Sequence, residues 1–226
     1  MGINAVVLGS TGMVGEGVLH ECLKNPAVEK VLVINRRPCG IENEKLTEII
    51  QSDFTDLSDV EGQLRGYNAC YFCMGVSSIG MKEEQYRQIT YDLPLYIADL
   101  LVKRNPKMVF CYVSGTGTDS TEKGRTMWAR VKGKTENDLL NLPFKAAYMF
   151  RPGYIQPIRG LQNTYKIYKL LSPLYPVFKK LFPGYVCTLQ DLGRAMIYVT
   201  INSPQKKILE NPDISRFGSI LESSPD

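Results

Sequence analysis

This chain of 226 residues has one histidine, one tryptophan and little excess of either charge. A single histidine excludes a multi-histidine metal centre; His20, beside Glu21 in an early helical pattern, reads as a surface residue. The balance of 27 Lys+Arg against 23 Asp+Glu leaves a net charge of only +4, which argues against a dedicated nucleic-acid binder. No run approaches the roughly 18 consecutive apolar residues of a membrane span, so stable membrane insertion is not expected. The start, Met1-Gly2-Ile3-Asn4, has no basic region of the signal-peptide kind, and Val6 stands where a myristoylation pattern wants Ser or Thr. A cytoplasmic location is therefore expected. Internal repeats and low-complexity tracts are missing as well. With 44% hydrophobic and 22% charged residues, the composition is that of a globular chain long enough to bury a core without staples.

The six cysteines, Cys22, Cys39, Cys70, Cys73, Cys111 and Cys187, are scattered, and free thiols are expected. Cys70-Tyr71-Phe72-Cys73 has C-x-x-C spacing but lies in an apolar run that reads as a buried strand. Strand residues three apart face opposite sides, whereas a redox pair wants a helix N-terminus. Zinc is disfavoured further, since no second pair exists, and no metal site is expected.

What is present is an alternation of short β-branched runs with helical patterns, the pattern of a parallel sheet covered on both faces. Strands are expected at Ile3–Leu8, Val31–Asn35, Thr47–Gln51, Ala69–Met74, Met108–Val113 and Ala146–Phe150. Helices are expected at Met13–Leu23, Leu57–Leu64, Lys82–Arg104 with a kink at Pro94, Thr126–Leu140 and Leu189–Ile201. The reading is a single Rossmann-type, doubly wound α/β domain over residues 1–226, with a proline- and aromatic-rich segment at 154–188 as a substrate-side insertion or lid. Ser215–Asp226 is polar and is expected to fray.

Gly9-Ser10-Thr11-Gly12-Met13-Val14-Gly15 follows the first strand and opens an amphipathic helix. In that context the glycines have separate tasks: Gly9 turns the chain, Gly12 lets amides approach a pyrophosphate at the helix N-terminus, and Gly15 packs helix on strand. The second strand ends Val33-Ile34-Asn35-Arg36-Arg37, without the carboxylate an NAD-selective site places there. Arg36 and Arg37 offer planar, permanently charged donors suited to a 2′-phosphate, so NADP(H) is expected ahead of NAD(H). In Ser52-Asp53-Phe54, Asp53 can accept from an adenine amino group or cap the next helix, with Asp56 as competitor for the cap.

These residues resemble the short-chain dehydrogenase/reductase superfamily over nearly the whole chain. The glycine motif is similar to that of its extended and atypical members, and Asp53-Phe54 matches their adenine site. Cys73-Met74-Gly75 lies where they pass the cofactor, Ser114 matches their catalytic serine, and Arg151-Pro152-Gly153 resembles the Arg-Pro-Gly after their sixth strand. The compact length and Val131-Lys132-Gly133-Lys134-Thr135-Glu136 are similar to the atypical group that includes the HIV Tat-interacting protein and its bacterial relatives. The resemblance implies a cofactor set of Gly9, Ser10, Thr11, Gly12, Met13, Val14, Gly15, Arg36, Arg37, Asp53, Phe54, Met74, Gly75, Lys132, Arg151 and Pro152, with Ser114 and Lys132 as catalytic residues.

Active superfamily members carry a proton-handling Tyr one helical turn before the Lys. Here Trp128 holds that position in Met127-Trp128-Ala129-Arg130-Val131-Lys132, and an indole N–H donates but does not ionise usefully. Thr90 or Tyr91 stands where many members have an active-site Asn. Three readings stay open. Another group handles the proton, with Tyr112, Tyr154, Tyr91, Asp92 or Lys132 itself as candidates. Alternatively the protein holds NADP(H) without turnover, as a sensor or interaction module. In the third, Lys132 only binds the ribose and the chemistry is not reduction. Ser114 also has a structural reading, as a cap on the Gly115-Thr116-Gly117-Thr118 turn.

On the substrate side, Ile167, Leu170, Leu171, Leu174 and Phe178 fall at helical spacing, broken by Pro173 and Pro176 and interleaved with Lys166, Lys169, Lys179 and Lys180. Two short helices over the sheet edge, a lid over an apolar substrate, or a basic surface patch all fit. The partner expected is a small or apolar carbonyl or alcohol, with a homodimer left open.

Overall fold

The computed structural model describes residues 2–158, 160–163 and 175–223. Seven parallel strands form one sheet in the order β3-β2-β1-β4-β5-β6-β9. They are β1 (Ile3–Leu8), β2 (Val28–Asn35), β3 (Leu46–Ile50), β4 (Ala69–Phe72), β5 (Val109–Val113), β6 (Ala146–Arg151) and β9 (Ile208–Glu210). A second, two-stranded parallel sheet joins β7 (Tyr154–Gln156) to β8 (Val186–Thr188).

Period-two side-chain alternation makes this sheet two-faced. Ala5, Val7, Val33, Tyr71, Cys111 and Phe150 are buried against helices on one side. Those helices are α1 (Met13–Lys24), α6 (Leu189–Asn202) and α7 (Asn211–Ser223). Val6, Leu8, Ile34, Phe72, Phe110 and Tyr112 are buried on the other, under a 3₁₀ turn at Ser58–Leu64, helix α3 (Leu93–Arg104) and helix α4 (Met127–Leu140). Cys70 and Cys73 pack on opposite faces, as the strand reading required, and the cysteines of the described residues are free thiols. Among the described residues no helix is long and apolar enough to cross a membrane.

Three expectations change. The break in the long helix is not a kink at Pro94. A short helix α2 (Glu83–Arg87) runs through one wide π turn, Gln88–Asp92, into α3, and Pro94 falls in the first turn of α3. The proline has no N–H for the carbonyl four residues back. That carbonyl, on Thr90, accepts instead from the Thr135 hydroxyl at 2.9 Å and the Tyr112 hydroxyl at 3.3 Å, tying the π turn to α4 and β5. The expected helix at Leu57–Leu64 is a 3₁₀ turn, with Asp56 accepting from the Ser58 amide. Of the stretch expected to fray, residues 215–223 belong to helix α7, while 224–226 lie outside the described residues: Ile214 and Phe217 are buried, and the Phe217 ring stacks on Tyr198 at 4.7 Å. Apolar residues at 214, 217 and 221 share one helix face, which outweighs the polar composition between them.

The start of α6 follows from Thr188-Leu189-Gln190-Asp191. Thr188 Oγ1 accepts from the Asp191 amide at 3.0 Å and Asp191 Oδ2 from the Thr188 amide at 3.2 Å, a reciprocal cap. In the 154–188 segment, Phe178, Lys179 and Lys180 lie on helix α5 (Tyr175–Leu181), with both lysines exposed. Ile167, Leu170, Leu171, Leu174, Lys166, Lys169 and Pro173 lie outside the described residues.

Candidate functional site

Because the seven strands are parallel, their carboxyl ends share one edge, where such sheets bind ligands. The Gly9 loop, Arg36, Cys73, Ser114 and Arg151 all lie there.

The glycine loop is set by backbone packing. Gly9 has φ +87°, and a Cβ on it would stand 2.9 Å from the Met74 amide nitrogen at the end of β4. A Cβ on Gly15 would overlap the Gly9 carbonyl. Gly12 and Gly75 differ: beside Gly12 only the Gly9 carbonyl oxygen comes within 4 Å of such a Cβ, at 3.4 Å, and Gly75 has nothing. The protein's own packing therefore does not demand glycine at these two positions. They keep a cradle clear at the N-terminus of the 12-residue helix α1, where amides and the helix dipole favour an anion. This is the room a dinucleotide pyrophosphate needs, and the residues present fit an NAD(P) cofactor. Ser10 and Met13 are buried beneath the loop, whereas Thr11 and Val14 are half-buried. Glu16 is buried in the first turn of α1, and its carboxylate accepts from the Gln162 and Asn163 amides at 2.8 Å each, fastening the 154–188 segment to α1.

At the tip of β2, Arg36 and Arg37 are exposed and make no ion pair or hydrogen bond among the described residues. The Asp53 carboxylate accepts from the amide and hydroxyl of Thr55 at 2.8 and 2.7 Å, and those bonds hold it below the ordinary aspartate range. It caps this local turn and not the following one. Phe54 is buried below it; Met74 is half-buried beside the loop.

On the other half of the edge, α4 carries Trp128, Lys132 and Glu136 one turn apart on one face. The Lys132 ammonium donates to the Ser114 carbonyl oxygen. Burial pulls Lys132 down to about 8, partly offset by attraction to Glu136. The Ser114 hydroxyl donates to the Glu136 carboxylate and lies 3.1 Å from the Phe150 carbonyl oxygen. Glu136 has no solvent exposure and forms an ion pair with Arg151, whose Nε lies 3.0 and 3.1 Å from its two oxygens. Arg151 also reaches Ser120 Oγ at 2.5 Å and Glu210 at 3.5 Å, so its guanidinium is committed within the protein. Pro152 is buried, and its carbonyl accepts from the Thr116 amide at 2.9 Å. The Trp128 indole covers Gly117, whose missing Cβ would stand 3.3 Å from it.

The other proton-donor candidates are placed elsewhere. Burial raises the Tyr112 phenol far above its ordinary value, and its hydroxyl is spent on the Thr90 carbonyl. Tyr91 donates to Asp138 at 2.6 Å beside Lys134, two residues and about 200° round α4 from Lys132. Asp92 is exposed and 3.7 Å from Arg87. Tyr154 packs against the rings of Tyr175 and Phe178 and reaches Gln156 Oε1 at 3.1 Å. Among the described residues, no His, Cys, Asp and Glu gather as a metal site. Sequence reading missed Glu136; its spacing of four from Lys132 on a helix was the available signal.

Residues 5–127 match the model of the NAD dependent epimerase/dehydratase family. Protein HTATIP2 of Rattus norvegicus is 26% identical over 218 residues, covering 94% of this chain and 88% of its own. Protein FMP52, mitochondrial, of Candida glabrata is 28% identical over 229 residues, covering 96% and 94%. Among solved structures, a UDP-N-acetylglucosamine 4-epimerase from Methanobrevibacter ruminantium superposes with a TM-score of 0.66 at 16% identity, over 99% of this chain and 84% of that one.

Proposed function

Since the chain belongs to the NAD dependent epimerase/dehydratase family, a family of NAD(P)-binding Rossmann folds, we propose that it is an NADP(H)-binding oxidoreductase-like protein acting on a small or apolar carbonyl or alcohol. The observation that carries this reading is the cleared cradle at Gly12 and Gly75 beside two uncommitted arginines, Arg36 and Arg37. Gly9 to Gly15 would hold the pyrophosphate, Arg36 and Arg37 the 2′-phosphate, Asp53 and Phe54 the adenine end, and Met74, Gly75 and Lys132 the nicotinamide end. When bound, NADP(H) supplies or accepts a hydride.

Lys132 is the residue proposed to hold and move the proton. Its ammonium is fixed by the Ser114 carbonyl, and burial brings it to about 8, where it exchanges protons near neutral pH. Trp128 excludes water and shapes the pocket wall over Gly117. A second reading, a cofactor-bound sensor or interaction protein without turnover, is favoured by one observation: the Ser114 hydroxyl is spent on Glu136. The partner proposed is a small molecule, not nucleic acid. A cytoplasmic location belongs to the proposal, although the FMP52 relatives are called mitochondrial; cell fractionation decides it.

The test is thermal unfolding with saturating NADPH or NADH. Ligand at about a hundred times its Kd adds roughly 2.7 kcal/mol, a rise on the order of 5–10 °C for a chain of this size. A large shift with NADPH and a small one with NADH supports the reading. No shift with either sinks it. Turnover of a carbonyl panel, or none, then separates enzyme from sensor.

A further inference from the structure

The NADP(H) reading above leaves Asn35 and Glu48 unexplained. Asn35 ends β2 where a ribose-binding carboxylate would stand, and it is buried. Its Oδ1 accepts from Ser10 Oγ of the glycine loop at 2.8 Å, and its Nδ2 donates to Glu48 Oε1 at 2.6 Å. The same Glu48 oxygen accepts from the Cys39 amide at 2.9 Å. Register explains the meeting: Glu48 on β3 stands opposite Val33, and Asn35, two residues beyond Val33, points to the same face. One carboxylate oxygen thus closes a bracket from residue 35 to residue 39. Arg36 and Arg37 form its outward side, exposed and unpaired among the described residues.

The chemistry of the bracket is selective. The amide at 35 must present Nδ2 to Glu48 and Oδ1 to Ser10, so its orientation is determined. An aspartate there would set a second carboxylate against Glu48 at hydrogen-bond distance, and two such groups cannot both stay charged without cost. The acid at 48 therefore keeps a carboxylate out of position 35 while it holds the arginine turn.

We propose that Glu48 is the positioning residue for cofactor choice: through Asn35 and the Cys39 amide it holds the Arg36–Arg37 turn as a 2′-phosphate site and bars a ribose-binding carboxylate from position 35. The inference rests on the NADP(H) reading, and the test separates the two. NADPH and NADH affinities are measured by calorimetry for the wild type, Glu48→Ala, Glu48→Gln, Arg36→Ala/Arg37→Ala and Asn35→Asp/Glu48→Gln. The wild type should prefer NADPH, and the double arginine variant should lose about tenfold or more of that preference. Glu48→Ala should lower the NADPH-to-NADH ratio roughly fivefold, NADH binding being little changed. Glu48→Gln keeps an acceptor oxygen for the Cys39 amide and should retain most of the preference. Asn35→Asp/Glu48→Gln pairs a carboxylate with an amide and should move the ratio toward NADH. Equal loss of both cofactors in Glu48→Ala, or an unchanged ratio, overturns the role of Glu48 while leaving the NADP(H) reading intact. A wild type without NADPH preference overturns both. If Glu48→Ala does not fold, Asn35→Asp/Glu48→Gln decides: retained NADPH preference there overturns the proposal.

Discussion

Replacing Glu136 by alanine removes an acid with no solvent exposure that faces Lys132, Ser114 and Arg151 together. Arg151, whose side chain is 11% exposed, would keep only Ser120 and the more distant Glu210 as partners. Breaking a buried pair from one side costs about 3–5 kcal/mol, because the remaining charge stays desolvated. At roughly 2–4 °C per kcal/mol for a chain of this length, Tm should fall by about 6–20 °C. Arg151→Ala should cost a similar amount. The double variant Glu136→Ala/Arg151→Ala should cost less than the two single variants summed, since neither charge is then stranded. Thermal and denaturant unfolding of the four proteins completes the cycle. A loss below about 1 kcal/mol in Glu136→Ala, or strict additivity, would refute the claim that this pair organises the α4 side of the site.

Lys132 gives a pH signature. Its folded value, about 8, lies below the ordinary 10.5, so between those limits the unfolded chain binds more protons. The penalty is whole below pH 8 and is relieved as pH rises through that window. The wild type should gain stability relative to Lys132→Met between pH 8 and 10; a flat difference in denaturant titrations contradicts the burial argument. Gly15→Ala drives a Cβ into the Gly9 carbonyl and should cost about 1–3 kcal/mol together with the NADPH-induced stabilisation. Gly62→Ala, with nothing within 4 Å, is the control expected to be near neutral. Trp128→Tyr restores an ionisable group one turn before Lys132 and should create or raise carbonyl reduction measured by NADPH absorbance; unchanged activity means the missing tyrosine is not what limits it.

Strand positions, the glycine turn and the helix after it were legible because each depends on contiguous residues: alternation, β-branching and glycine at a backbone crossing. The arginine pair was legible for the same reason. The Glu48 bracket was not, because it joins residues 13 and 9 apart through sheet register. Nor was the Glu136–Arg151 pair, which joins a helix to a strand end. The C-terminal helix was misread because its buried face is three apolar positions diluted among polar ones, and only the stacking of Phe217 on Tyr198 shows what that face is for. Pro94 was expected to kink the helix, and it does not. The lost hydrogen bond is real, but the Thr90 carbonyl is supplied by Thr135 and Tyr112, so the helix widens instead of kinking.

That substitution also bears on chemistry. Tyr112 sits on β5, two residues before Ser114, and could be read as a replacement proton donor. Its hydroxyl is spent on the carbonyl that Pro94 leaves open, an acceptor it shares with the Thr135 hydroxyl, and burial holds the phenol far above its ordinary value. Tyr91 is likewise held by Asp138 on another face of α4. With Ser114 turned onto Glu136, the Ser114, Tyr91 and Tyr112 hydroxyls each have a structural partner. Lys132 differs, because its partner is a backbone carbonyl oxygen that needs only one of three ammonium hydrogens. Two hydrogens and a depressed affinity for the proton remain, and that surplus is why the proposed proton chemistry falls to Lys132.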